Sequence, residues 1–222
     1  MIRPNYFIPI EKYKLLYVQV PKCANTSILM ALGKLAGWKD FPTYVENNPS
    51  RHHDIQEAVR KRKMPVNEDN IKKFKAYHKF TFVRNPWDRI VSCWKDKVKY
   101  KERKFVGFNR WRIGSSWSFE DFVKRIATIS DQEANDHFRS QFYATSVGGR
   151  SYLDWFGKIE QSSDWAVLQD RIERQNGRLD NLMVLNKGKD ASIDYKQYYN
   201  DKTQILIAKR YNADIVTFGY KF

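Results

Sequence analysis

Residues 15–27, Leu15-Leu16-Tyr17-Val18-Gln19-Val20-Pro21-Lys22-Cys23-Ala24-Asn25-Thr26-Ser27, decide the fold. The apolar run 15–20 stops at Pro21 and reads as a buried strand. Beyond Ser27, the residues Ile28, Ala31, Leu32 and Leu35 recur at helical spacing, and Gly37 stands where a helix would end. A strand that passes through a short loop into a helix is the repeating unit of α/β proteins. The loop is also an anion site by construction, because the first N–H groups of a helix are unpaired and its dipole is positive there. Lys22 adds a full charge, and Thr26 and Ser27 add hydroxyl donors. The plain alternative is a turn capped by Asn25 or Thr26.

A second strand–helix junction lies at Phe80-Thr81-Phe82-Val83-Arg84-Asn85-Pro86. Asn85 suits an N-cap and Pro86 the first helical position, which predicts a helix to about Tyr100 burying Ile90, Val91, Trp94 and Val98. Arg84 falls at the carboxyl end of the strand, where ligands collect in open parallel sheets. Ser92 follows two helical turns later, and a guanidinium with a hydroxyl suits a phosphate. Read plainly, Arg84 is a surface residue beside a capped helix, with Asp88 and Arg89 as a structural pair.

The rest is less regular. Residues 42–79 are polar and predict one helix, around 55–61. Between Lys95 and Arg112 eight basic residues alternate with Tyr100, Phe105, Phe108 and Trp111, a pattern that reads as a solvated helix face with aromatics turned inward, the alternative being a grip on an anionic chain with Trp111 or Tyr100 on a sugar face. Ser118-x-x-Asp121 resembles a capping box for a helix carrying Phe119, Phe122, Val123 and Ile126. A strand is expected at Leu182 to Leu185, and a last helix at about 202–211 with Ile205, Ala208 and Tyr211 on one side. The run Arg60-Lys61-Arg62-Lys63 looks like a nuclear signal but continues a helix.

With 222 residues and no composition shift, the chain is expected to form a single domain over residues 1–222. A net charge of +15 concentrates anions around it, which admits nucleic acid, acidic lipid, anionic glycan or a phosphorylated nucleotide. Two cysteines, Cys23 and Cys93, exclude a disulfide framework. Met1 to Ile10 contains no apolar run of signal-peptide or membrane-span length, so a cytoplasmic location is expected, with no membrane span. The loop at 21–27 is not G-x-x-x-x-G-K-[ST], since its Lys precedes the hydroxyl residues by several positions, and no G-x-G-x-x-G follows a predicted strand.

Taken together, Pro21-Lys22-Cys23-Ala24-Asn25-Thr26-Ser27 resembles the 5′-phosphosulfate loop of the Golgi-type carbohydrate sulfotransferases and their small bacterial relatives. Arg84-Asn85-Pro86-Trp87-Asp88-Arg89-Ile90-Val91-Ser92 resembles their 3′-phosphate motif. The resemblance continues through His137-Phe138-Arg139-x-Gln141, Gly157-Lys158-Ile159-Glu160, Tyr198-Tyr199 and Tyr211-x-x-Asp214-x-x-x-Phe218-Gly219-Tyr220, nearly the whole chain after residue 15.

This resemblance implies a P-loop-like three-layer α/β fold with a central, mostly parallel sheet flanked by helices. It implies sulfuryl transfer from 3′-phosphoadenosine-5′-phosphosulfate (PAPS), leaving PAP, to a hydroxyl of a glycan or small sugar-containing molecule, without a metal. Lys22, Cys23, Ala24, Asn25, Thr26 and Ser27 would hold the 5′-phosphosulfate, and Arg84 and Ser92 the 3′-phosphate. Lys22 would also be catalytic, meeting the charge that grows on the leaving phosphate. The acceptor hydroxyl needs a base, for which histidine is suited. Relatives carry a His before a short helix ending in Arg, and His53 with Arg60 fits that spacing. The doubled His52-His53 departs from the usual single His, so His52 is placed with His137 at the acceptor, and Glu57 and Glu160 are reserve bases. His78 reads as structural.

Two other classes compete. A P-loop-type kinase would use the same sheet and loop but needs Mg²⁺. A basic nucleic-acid-binding protein fits the charge but lacks a recognisable reading module, and no nucleic-acid partner is expected.

Overall fold

The computed structural model describes residues 5–39, 51–100, 106–115, 117–182 and 193–222. They form two compact units, one drawn from residues 5–83 and 145–182 and the other from 84–144 and 193–222. The chain leaves the first unit after Val83, returns at Thr145 and ends in the second.

The first unit is a mixed α/β sheet unit. Its strands are β1 (Tyr6–Ile10), β2 (Leu15–Val18), β3 (Met64–Pro65), β4 (His78–Val83) and, after a small hairpin of β5 (Ser146–Val147) and β6 (Arg150–Ser151), β7 (Trp155–Lys158). Five of these form one sheet in the order β3-β1-β2-β4-β7. β2, β4 and β7 pair in parallel, with Tyr17 opposite Phe80 and Phe82 opposite Gly157, while β1 runs antiparallel to both β2 and β3. Four of the five strands therefore point the same way.

Strand alternation distributes the apolar residues to two faces. Leu15, Tyr17, Phe80 and Phe82 pack with α1 (Asn25–Leu35), α2 (Arg51–Arg60) and α7 (Ser162–Glu173) through Ile28, Leu32, Val59 and Leu168. Leu16, Val18 and Phe7 pack on the other face with Phe74, next to α3 (Glu68–Lys73), whose Ile71 joins them. The predicted C-terminus of α1 is realised: Gly37 adopts φ +62°, and the N–H of Trp38 reaches back to the Gly33 carbonyl at 3.2 Å. Gly157 has a different reason, since a Cβ there would come within 2.5 Å of the Phe82 ring.

The second unit is helical. It holds α4 (Pro86–Trp94), extended by a π-helical turn over Lys95–Lys99, then α5 (Phe119–Ala127), α6 (Gln141–Ala144), α8 (Asp201–Arg210) and α9 (Asn212–Phe218). Asn85 caps α4 by accepting from the Trp87 N–H at 3.0 Å, with Pro86 at the first position. Ser118 caps α5 through the Asp121 N–H at 3.1 Å. Ile90, Val91, Val98, Phe108, Phe122, Val123, Ile126, Ile207 and Tyr211 are all buried in one cluster. Burying each large apolar side chain of this kind stabilises by about 1.5–3 kcal/mol before the entropy cost.

Several expectations need correction. Residues 64–74 carry β3 and α3 in addition to the expected helix α2. The inward stripe of α8 is Thr203, Ile207 and then Tyr211, whereas Ile205 is 53% exposed, because residues 203, 207 and 211 fall four apart and 205 lies across the helix. The chain after Tyr211 forms helix α9 rather than only a tail. The strand expected at Leu182 to Leu185 lies outside the described residues except for Leu182, which is not in a strand. Among the described residues no helix is long and apolar enough to cross a membrane.

Candidate active site

The junction of β2 and α1 departs from an ordinary capped turn. The N-cap of α1 is Ala24, in the left-handed region at φ 54°, ψ 24°, and no side chain caps the helix. Lys22 is also left-handed, at φ 70°. A non-glycine residue there costs roughly 1–2 kcal/mol, and two such residues within three positions concentrate strain in the manner typical of functional loops. Asn25, named in the sequence as a possible cap, instead accepts a hydrogen bond from the Tyr17 hydroxyl at 2.5 Å. That bond ties the first turn of α1 to β2. Burial pushes the Tyr17 phenol well above its usual value, with Cys23 adding to the shift, so the phenol keeps its proton and remains a donor.

The other loop residues divide by burial. Cys23 is fully buried, its thiol directed at the Pro21 carbonyl at 3.8 Å, so any role it has in binding falls to its backbone. Ser27 is buried, while Lys22 and Thr26 are half-buried. At the same carboxyl edge of the parallel strands, β7 ends at Lys158, whose N–H donates to Asp164 at 2.7 Å, and exposed Glu160 follows. Lys158 is a cation at this edge that the sequence marked only within a quoted motif.

His52 and His53 lie in the first turn of α2, and their side chains are outside the described residues. Positions 53, 57 and 60 share a stripe on the side of α2 opposite Ile55 and Val59. On that stripe Glu57 accepts from Arg60 Nε at 3.0 Å and Nη2 at 2.6 Å.

In the second unit Arg84 is built into a network. Its guanidinium forks onto Asp88, with Nε at 2.8 Å and Nη2 at 2.9 Å, so Asp88 pairs with Arg84 and not, as the sequence suggested, with Arg89. Arg89 is buried and donates to the Arg139 and Asp136 carbonyls at 2.8 and 3.2 Å. Asp88 and Ser92, one turn apart on α4, continue the line from Arg84 along one stripe of the helix, and Ser92 is half-buried. The Arg84 backbone is held by Gln141, and Gln141 by buried Asp214, so α6 and α9 position the residue expected at the phosphate. The sequence quoted Gln141 and Asp214 without assigning them a part.

His137 sits against two side-chain oxygens: its Nδ1 lies 2.7 Å from Asn135 Oδ1 and 3.0 Å from Asp136 Oδ1. Both oxygens can accept, so the contacts favour a proton on Nδ1. The ring edge contacts Phe108, and the side chain is 22% exposed. Of the aromatics after Lys95, Phe108 is buried, Trp111 is half-buried and donates to the Glu133 carbonyl at 2.9 Å, Tyr100 is half-buried under Lys99, and Phe105 lies outside the described residues. His78 opens β4, its backbone N–H donating to the Lys14 carbonyl at 2.8 Å, and burial lowers its ring pKa.

A family model described as the sulfotransferase family matches residues 5–221, so it runs through both units and both motifs. The chain belongs to the sulfotransferase family. Among curated relatives of this sulfotransferase, carbohydrate sulfotransferase 10 of Pongo abelii is 34% identical over 85% of this chain and 53% of its own length. The human carbohydrate sulfotransferase 10 is 33% identical with the same coverage. Carbohydrate sulfotransferase 11 of Rattus norvegicus is 22% identical over 99% of this chain and 69% of its own length. The chain thus spans about half to two-thirds of these relatives. No solved structure matches it.

Proposed function

We propose that this sulfotransferase moves a sulfuryl group from PAPS to a hydroxyl of a carbohydrate and releases PAP. The observation that carries the reading is the start of α1: a left-handed, side-chain-uncapped Ala24 beside a left-handed Lys22, at the carboxyl end of a parallel strand. Such a start suits an anionic group on the helix N-terminus, and in this sense the β2–α1 unit is P-loop-like without its flanking glycines. The names of the relatives support the carbohydrate acceptor.

In this reading Lys22, Ala24, Asn25, Thr26 and Ser27, with the Cys23 backbone, hold the 5′-phosphosulfate, and Arg84 and Ser92 hold the 3′-phosphate. During transfer the bond from sulfur to the phosphate oxygen breaks and a bond from sulfur to the acceptor oxygen forms. The electron pair stays on the phosphate, where the Lys22 ammonium meets the new charge. The acceptor proton passes to His53, while His52 and His137 contact the acceptor. No step calls for a metal.

The test is calorimetric titration with PAP in EDTA, for wild type, Lys22→Ala and Arg84→Ala. One-to-one micromolar binding, weakened by Arg84→Ala, supports the reading. A folded wild type that ignores PAP but binds ATP only with Mg²⁺ overturns it in favour of a kinase.

A further inference from the structure

The geometry points to a second carbohydrate site, a pocket for a sulfate- or carboxylate-bearing sugar unit, at the edge of the sheet unit away from the phosphosulfate loop. The loop follows the carboxyl end of β2. The pocket is formed where β1 ends, where α1 ends and where α2 passes into β3, which is the amino edge of the parallel strands. It is a half-open cleft of about 600 Å³, within the range of small-ligand sites.

Its walls are chemically one-sided. Lys12, Lys61, Arg62 and Lys63 line it together with Trp38 and a single carboxylate, Glu11. Arg62 is fixed in place: its Nη1 donates to the Ala58 carbonyl at 2.5 Å, and its guanidinium lies 4.4 Å from the centre of the Trp38 ring. Trp38 in turn is held by the C-terminal turn of α1. A guanidinium anchored on an aromatic wall loses little freedom when it takes a sulfate or carboxylate in a forked pair. The lysines add charge on the same wall, and Glu11 can accept from sugar hydroxyls. The basic run that resembles a nuclear signal does not continue the helix as expected, since α2 ends at Arg60, and its last three residues are thereby given a ligand.

The concave shape favours a compact anionic sugar over a duplex nucleic acid, which needs an extended basic stripe. The choice of a sugar rests on the carbohydrate reading above. An acceptor chain carrying acidic sugars would then be held at a point remote from the reacting hydroxyl, and two weak contacts on one chain raise its effective affinity.

The experiment uses the full chain and equilibrium binding of a sulfated tetrasaccharide, a neutral tetrasaccharide of equal length and a single-stranded DNA of matched charge. Arg62→Gln/Lys63→Gln is compared with Lys61→Gln/Lys63→Gln, which leaves the Arg62–Trp38 stack intact, and with Lys72→Gln/Lys75→Gln, which removes equal charge from exposed positions at the end of α3 and in the turn after it. PAP binding is measured on every sample. The expected result is that sulfated tetrasaccharide affinity falls tenfold or more in both pocket variants and less than threefold in the α3 variant, with PAP binding unchanged. Equal losses in pocket and α3 variants would reduce the effect to general charge and overturn the site. DNA that matches the sulfated sugar in affinity and in loss would reassign the pocket to nucleic acid. Loss of PAP binding in wild type would count against the donor reading alone, since the comparison between sugar arms is read independently of it.

Discussion

Gln141 holds the backbone of Arg84 from both sides, its side-chain carbonyl accepting from the Arg84 N–H at 2.9 Å and its amide donating to the Arg84 carbonyl at 2.8 Å. Gln141 is itself fixed by Asp214, which accepts from the Gln141 and Phe142 N–H groups at 3.0 and 2.7 Å. A carboxylate on α9 thus sets the arginine assigned to the 3′-phosphate through one intermediate residue. Gln141→Ala should remove both side-chain hydrogen bonds to the Arg84 backbone, together with the side-chain amide's hydrogen bond to Asp214 at 3.3 Å, and leave Arg84 less ordered, weakening PAP about tenfold. A nucleotide without the 3′-phosphate should bind as before. Equal weakening of both nucleotides would show that Gln141 supports the fold and not the phosphate contact.

Arg84→Ala removes the guanidinium itself and leaves Asp88 without its forked partner. Charge-assisted hydrogen bonds contribute about 1.5–3 kcal/mol each, so PAP affinity should fall between roughly tenfold and a few hundredfold. Calorimetry with PAP and with adenosine 5′-phosphosulfate separates the two phosphates. If the second ligand weakens as much as the first, Arg84 has no special relation to the 3′-phosphate.

Lys22→Ala should act on rate more than on binding. The ammonium is assigned to charge that appears as the bond to the leaving phosphate breaks, and removing such a group costs about a hundredfold or more in turnover. Steady-state kinetics should show kcat falling by that factor, with KM for PAPS changing only a few fold. A change confined to KM would make Lys22 a ground-state binding residue.

Legibility in the sequence followed the physics of each segment. The strand at Leu15–Val18 and the helix after it carried clean periods, and Asn85-Pro86 and Ser118-x-x-Asp121 are local caps that need no tertiary information, so all were readable. β1 was hidden by Pro9, which breaks the pattern of a strand although it lies past the two residues paired with β3. β7 is short and contains Gly157, chosen for the Phe82 ring that only the folded sheet brings near. In the site, Lys22 and Arg84 could be named because their chemistry is local to a strand end. The left-handed Ala24, the Tyr17–Asn25 bond and the line from Asp214 to Arg84 depend on contacts distant in sequence or on backbone angles, and no residue type announces them.

The conformation at Ala24 makes its own prediction. Ala24→Gly relieves the left-handed penalty of roughly 1 kcal/mol while adding entropy to the unfolded chain, so stability should change by less than about 0.5 kcal/mol. Ala31→Gly, inside α1 with ordinary helical geometry, should cost about 1 kcal/mol. Urea unfolding of both variants checks this. Equal losses would mean that Ala24 does not hold the left-handed conformation in solution.

Asp214 also gives the protein a pH signature. Burial pushes its carboxyl from 3.8 up to about 6, partly offset by the N–H groups of Phe142 and Gln141 and by Arg89. Between those two values the folded protein holds a proton that the unfolded chain has released. Stability from this group is therefore greatest in acid and declines as pH rises through 6, by roughly 3 kcal/mol in all. Asp131 runs the other way: burial pushes it up, but Arg210 and Ser140 hold it below its ordinary value, so its contribution is lost in acid. Comparing wild type with Asp214→Asn cancels Asp131, which both proteins carry. The stability of wild type relative to Asp214→Asn, measured by urea unfolding between pH 4.5 and 7.5, should decrease with rising pH and level off above about 7. A difference that is flat or grows with pH would mean that the Phe142 and Gln141 N–H groups together with Arg89 outweigh burial, and that Asp214 holds Gln141 as a fully ionised carboxylate throughout.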